Sequence, residues 1–205
     1  MFGSDRREMA RKIGSSGPQT EAAIHKAGLR LIYRHGFAAA SLQHLAAEVG
    51  IQKSSIYNHI ESKQDLLFQI VKGHMDDLLH AADRDLPTED SSPSERLEAF
   101  VHFHVLYHAE RSEEMFVINS ELRSLDPENL AYILGLRARY EDKLSTILRD
   151  GERVGKFKIM DARVATFGIL AMLSSVGTWF KSAGRLSKEE VAAMFSDMVL
   201  RSIIG

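Results

Sequence analysis

The chain is 205 residues long, with 26 Lys and Arg, 28 Asp and Glu, and no cysteine. That length can bury a substantial core in one large or two modest domains, and the missing thiols exclude disulfides, zinc–thiolate sites and cysteine nucleophiles, as suits a reducing cytoplasm. Charge is uneven: residues 1–60 hold eight Lys or Arg against four Asp or Glu, and residues 61–205 eighteen against twenty-four, so a basic head fit to meet a polyanion precedes an acidic body.

Residues 1–18 are polar and end in Ser15-Ser16-Gly17-Pro18. They read as a mobile arm whose Arg6, Arg7, Arg11 and Lys12 either reach a polyanion or stay solvated. The arm has no apolar run followed by a cleavage site, and no later segment is long and apolar enough to suggest a membrane span. A first helix is expected from about Thr20 to His35, with Ile24, Ala27, Leu31 and Ile32 as its apolar stripe. Gly36 stops it and Phe37 anchors the following loop.

The most specific stretch is Ser41 to Ile60, SLQHLAAEVGIQKSSIYNHI. Ser41 is a good N-cap, and Leu42, Leu45, Ala46 and Val49 follow at one-face helical spacing. Gly50 suits the left-handed position that ends a helix. A second short helix begins at Gln52, with Ile56 and Ile60 inward and Gln52, Lys53, Ser54, Ser55, Tyr57, Asn58 and His59 outward. Two short helices joined at a glycine turn form a helix-turn-helix. An ordinary helical hairpin shares that pattern, but an outer face of small donors, one lysine, one tyrosine and no acid suits base edges and phosphates better. Residues 19–61 are therefore expected to be a three-helix DNA-binding head, and 62–205 a body for effector binding and dimerisation.

In the body, Ser62 and Asp65 open a fourth helix that fades near Asp83, with Lys63 in its first turn where it could meet a phosphate. Leu86 to Ser92 is the clearest loop. Ser92-Pro93-Ser94-Glu95 then caps a fifth helix, and a shorter one runs through Met115, Phe116, Ile118 and Leu122. Asp126-Pro127 starts a long helix that ends around Gly155. Two helices remain, Asp161 to about Lys181 and Ser187 to about Ile203. Val164, Gly168, Ala171, Ser175 and Thr178 lie along one side of the first; Ala192, Phe195 and Val199 belong to an apolar surface of the second wider than one core stripe needs. These eight residues are the expected dimer interface, half of a four-helix contact, unless both helices merely close the monomer core. The fold class is all-α, with about nine helices.

Ala22 through Leu31, Gly36-Phe37, the block Leu45-Ala46-Ala47-Glu48-Val49-Gly50-Ile51 followed by Ser55-Ile56-Tyr57-Asn58-His59-Ile60, and Lys63 to Leu67 together resemble the TetR-type bacterial repressors. Ile60 stands where that family most often has phenylalanine. The runs RARYEDKLSTILRDGERVGKF and DARVATFGILAMLSSVGTWFKSAGRLSKEEVAAMFSDMVLRSI are similar to a subgroup that senses coenzyme A thioesters of fatty, sterol-derived or aromatic acids. The resemblance implies a homodimer on a palindromic operator in double-stranded DNA, with one effector site in each body. It also implies that Gln52, Lys53, Ser54, Ser55, Tyr57, Asn58 and His59 face the major groove, and that Thr20, Ser41 and Lys63 flank it at phosphates. Paired reading helices would have to stand about 34–36 Å apart.

An acyl or flat ligand needs a mostly apolar cavity with a few polar fixtures. Phe100, Phe103, His104, Tyr107, Phe116, Asn119, Tyr140, Phe167 and Trp179 are candidates, though simple core packing also explains aromatics on such helices. Arg111, Arg123, Arg137 and Arg139 could meet the phosphates of a thioester or be solvated helix surface. His104 and His108 are one turn apart, but no second matched pair completes a metal site, and no metal or cofactor is expected. No phosphate loop, nucleophile elbow or convergent acid–base pair indicates an enzyme. The rival to a thioester sensor is a DNA-binding regulator that answers to a free hydrophobic molecule or to a protein partner.

Overall fold

The computed structural model describes residues 17–204, and its regular elements are all helical. In chain order they are α1 (Gly17–Ala39), α2 (Leu42–Val49), α3 (Lys53–Ile56), α4 (Lys63–Asp85), α5 (Pro93–Ala109), α6 (Ser112–Glu121), a 3₁₀ turn (Leu122–Ser124), α7 (Pro127–Arg153), α8 (Ala162–Ser174), α9 (Val176–Trp179) and α10 (Lys188–Ile203). The four basic residues expected on the arm lie outside the described residues. Gly17 and Pro18, expected to end the arm, instead open α1.

The caps expected from the sequence form. Ser41 Oγ accepts from the His44 amide at 3.2 Å, and Gly50 (φ 76°, ψ 31°) ends α2 with its N–H on Ala46 and Ala47 carbonyls. Ser92 with Glu95, and Ser187 with Glu190, close reciprocal capping boxes on α5 and α10. At α4 the reciprocal bond is displaced by one residue: Ser62 Oγ accepts from the Asp65 amide, but the Asp65 carboxylate accepts from Glu61 rather than from Ser62. Each such cap contributes about 1 kcal/mol. The backbone leaves helical geometry at Gly36 (φ 75°, ψ 158°), a conformation open to glycine alone without strain.

The single helix expected from Asp161 to about Lys181 is broken. Ser175 Oγ donates to the Met172 carbonyl at 2.6 Å, and the chain turns through α9 to an extended Phe180. Serine hydroxyls compete with the helical ladder in this way. In the body α10 packs along α5, and α7 lies against α4, α5 and α8. The head is not a detached unit. One buried apolar core runs from Ile24, Leu45 and Ile56 through Leu66 and Leu67 into Phe100, Ile133 and Leu148.

Candidate functional site

Ile56 and Ile60 are completely or almost completely buried, each worth about 1.5–3 kcal/mol against solvent exposure. They fix which side of the α2–turn–α3 unit faces out. Gln52, Lys53, Ser54, Tyr57 and Asn58 are exposed, and Ser55 and His59 half-exposed, with the Tyr57 ring 51 % accessible. This is one polar, non-acidic surface. The three flanking residues differ. Ser41 is committed to its cap, and Thr20 is buried on the inner side of α1. Lys63 turns inward: its ammonium donates to the Phe37 and Ala38 carbonyls at 2.9 and 3.1 Å and lies 4.5 Å from the Phe37 ring centre. A phosphate role for Thr20 and Lys63 therefore meets a largely buried threonine and an ammonium with two of its three donors used.

The body holds a cavity of about 300 Å³ lined by residues of five helices and open on one side. His74, Met75 and Leu78 come from α4, and His104 and His108 from α5. Met115, Ile118 and Asn119 come from α6, Arg137, Tyr140 and Glu141 from α7, and Phe167, Leu170, Ala171 and Ser174 from α8. Exposure orders these residues: the histidines and Tyr140 are buried, whereas Asn119, Phe167 and Ala171 are exposed and Arg137 and Glu141 half-exposed. The imidazoles therefore form the inner end, and the latter group the mouth.

The inner end is a hydrogen-bonded aromatic cluster. His104 Nδ1 pairs with the Tyr140 hydroxyl at 3.0 Å, and its Nε2 with Ser174 Oγ at 3.1 Å. Burial pushes His104 down to about 3, so its ring is neutral at physiological pH, and burial raises Tyr140 well above the usual phenol range. His108, one turn along α5, has its ring centre 4.2 Å from that of His104. Burial, and after it the electrostatic influence of the neighbouring His104, His74 and Arg111, holds it well below the usual imidazole range. His74 Nδ1 meets Glu114 Oε2 of α6 at 2.7 Å. Among the described residues no group of three metal-ligating side chains is placed to hold an ion.

Of the side chains expected to bind effector, His104, Asn119, Arg137, Tyr140 and Phe167 line the cavity together. Phe100 stands behind the wall against His104 and Tyr140, and Phe103 and Tyr107 pack on each other beside His74. Phe116, Arg123 and Trp179 lie elsewhere. Phe116 is a third of a turn past Met115 on α6 and meets Tyr33 of α1 edge-to-face at 5.1 Å. Arg123 is exposed in the 3₁₀ turn, and Trp179, beyond the break at Ser175, lies against Phe195 of α10. The other ten lining residues, His74, Met75, Leu78, His108, Met115, Ile118, Glu141, Leu170, Ala171 and Ser174, were not expected in the effector site. His74 carried a readable signal, a histidine within the apolar stripe of α4.

The face formed by α8 and α10 is apolar and uncovered. Val164 is 69 % exposed, Phe167 46 %, Met194 51 % and Met198 54 %. Gly168, Ala171 and Thr178 also face outward, with Ser175 and Phe195 half-exposed. Ala192 and Val199 do not belong to this face: both are fully buried in the chain's own core, because that side of α10 packs on α5. Met194 and Met198 occupy the outward positions instead.

Residues 24–70 match the family described as bacterial regulatory proteins, tetR family, and residues 90–203 the family described as tetracyclin repressor-like, C-terminal domain. The HTH-type transcriptional repressor KstR2 of Rhodococcus jostii is 24 % identical over 190 residues, 91 % of each chain. A bacterial regulatory protein in the tetR family from Rhodococcus RHA1 has a crystal structure that superposes with a TM-score of 0.85 at 26 % identity, over 92 % of this chain and 98 % of that one. The structure of AibR in complex with isovaleryl coenzyme A and operator DNA superposes with a TM-score of 0.77 at 30 % identity, over 87 % and 97 %.

Proposed function

The chain belongs to the TetR family of bacterial transcriptional regulators, and from that premise we propose that it represses transcription as a homodimer on a palindromic operator and is released by a hydrophobic effector, an acyl-CoA thioester. Members of this family are DNA-binding regulators rather than enzymes. The outward face from Gln52 to His59 enters the major groove, with Tyr57 against a phosphate or a thymine methyl. No arginine lies on that face, so the common bidentate pairing with guanine falls to Lys53 or to the N-terminal arm, or is not made.

The observation that carries the regulatory part is that one helix serves both sites. On one side α6 gives Met115, Ile118 and Asn119 to the cavity. On the other it grips the head, with Phe116 on Tyr33 and Glu121 accepting the Phe37 amide at 3.1 Å. Gln64 at the start of α4 adds a bond to the Ser124 carbonyl just beyond α6. A ligand that shifts α6 by a fraction of an ångström acts on the seat of α1 and so on the spacing of two reading heads. Ligand and operator then lower each other's affinity by the same factor.

The acyl-CoA assignment draws on the likeness to AibR, bound to isovaleryl coenzyme A, and on the size of the cavity. About 300 Å³ holds on the order of ten water-sized groups. That suffices for a short acyl chain or a ring, and leaves the far larger coenzyme A at the mouth, where Arg137 stands.

The test is fluorescence anisotropy of a labelled duplex from the protein's own upstream region, at fixed stated salt, with acyl-CoA thioesters added in turn. Release by one acyl class, but not by free coenzyme A or the free acid, is the expected result. Tyr57→Ala should abolish tight binding while leaving the dimer and ligand binding intact. Tight operator binding indifferent to every thioester would overturn the effector assignment and leave the DNA-binding one.

A further inference from the structure

We propose that the inner end of the cavity recognises an uncharged oxygen, a ketone or hydroxyl at the far end of the ligand, and that His108 is the residue that binds it. This rests on reading the cavity as the effector site. Plain hydrocarbon would need only the apolar wall of Met75, Leu78, Ile118 and Leu170. Three imidazoles at the buried end are a costly addition to such a wall unless each nitrogen has work to do.

His104 has both ring nitrogens bonded, to Tyr140 and Ser174, and His74 has its Nδ1 bonded to Glu114. His108 is 2 % exposed and lines the cavity; neither ring nitrogen has a hydrogen-bond partner among the described residues, and because Nδ1 is fully covered, Nε2 is the nitrogen left open. A largely buried ring nitrogen left unpaired destabilises the fold, and an oxygen arriving through the cavity would complete the bond of Nε2. Depending on the tautomer, Nε2 donates to a ketone or accepts from a hydroxyl.

The same geometry argues against a carboxylate. Burial keeps His104 and His108 neutral, and the carboxylate of Glu114 already occupies His74. The lining arginine, Arg137, is at the mouth. An anion driven to the inner end would lose its water and meet two neutral imidazoles and a third already paired with a carboxylate.

The experiment is calorimetric titration of the full-length dimer with three thioesters of equal chain length: heptanoyl-CoA, its counterpart with a ketone at the penultimate carbon, and pimeloyl-CoA. They end in a methyl group, a neutral oxygen and a carboxylate. The ketone should bind about tenfold more tightly than heptanoyl-CoA, the size of one well-formed hydrogen bond, and pimeloyl-CoA most weakly. In His108→Leu the ketone preference should vanish while heptanoyl-CoA still binds, and in His108→Gln, which keeps an amide near the position of Nε2, it should persist at several-fold. The melting temperature of His108→Leu should stay level or rise, because an unpaired polar atom has been removed; a fall would mark His108 as structural and overturn the proposal. Equal wild-type affinity for the ketone and heptanoyl-CoA, or a preference that survives His108→Leu, would also overturn it, yet leave the effector reading standing. If none of the three binds, the corresponding free methyl ketone is the deciding probe. Binding that depends on His108 keeps the proposal and removes coenzyme A from it, whereas no binding removes both.

Discussion

His104 has the most completely specified side chain in the body, both ring nitrogens bonded and the ring stacked on Phe100. Its pKa of about 3 in the folded chain lies far below the ordinary 6.5. Between those values the unfolded chain takes up a proton that the folded chain refuses. Stability is therefore complete above pH 6.5 and declines as pH falls toward 3, at up to about 1.4 kcal/mol per pH unit from this residue. His108 shifts in the same direction. Urea denaturation at pH 7 and 5.5 should show a loss of about 1 kcal/mol attributable to His104. His104→Phe, although less stable at both pH values, should give a flatter profile; an unchanged slope would remove the buried neutral imidazole from the account. The other telling residue is Lys63. Chain position suggested a phosphate contact, but its ammonium secures the turn after Gly36.

Among the helices α6 has the most divided surface. Met115, Val117 and Ile118 are buried while Phe116 between them is half-exposed, and Phe116 reaches α1 rather than the cavity. Phe116→Ala should cost about 0.5–1.5 kcal/mol of head-to-body packing. It should leave ligand affinity in the free protein unchanged, because the ring does not line the cavity. Operator release by a saturating ligand should weaken several-fold, within the 1–3 kcal/mol usual for such couplings. Paired calorimetry and anisotropy separate the two effects. Release of wild-type magnitude would mean that the signal travels through α4 alone. The broken α8–α9 segment makes a related point. One hydroxyl on the Met172 carbonyl turns Trp179 away from the cavity and toward α10.

In the whole molecule, a continuous core joins head to body, and an uncovered apolar face on α8 and α10 lies beside the cavity mouth, where Phe167 and Ala171 belong to both. We propose that this face pairs with a second copy. Met194→Glu combined with Met198→Glu places charge at its centre without touching the buried Ala192 or Val199. The variant should sediment as a folded monomer, and its operator affinity should fall about 100-fold or more, because two linked heads become one. A variant that remains dimeric would move the interface elsewhere.

Helix-turn-helix, caps and fold class were legible in the sequence because they are local. Ser41 and Gly50 sit within one turn of the amides and carbonyls they satisfy, and the spacing of Ile56 and Ile60 already says which side of α3 faces out. The cavity was legible only in part. His104, Asn119, Arg137, Tyr140 and Phe167 were within reach as polar or aromatic residues on apolar helices, but nothing in their spacing tells that α4 supplies His74 and that Phe116 turns to the head. Likewise the width of the apolar surface on α10 was visible, yet which half of it α5 covers was not, so Ala192 and Val199 were placed outward and lie inward. Helical periodicity fixes the angle between side chains on one helix, whereas the direction in which that helix is rotated against its neighbours is set by packing of residues distant in sequence, and only the tertiary structure decides it.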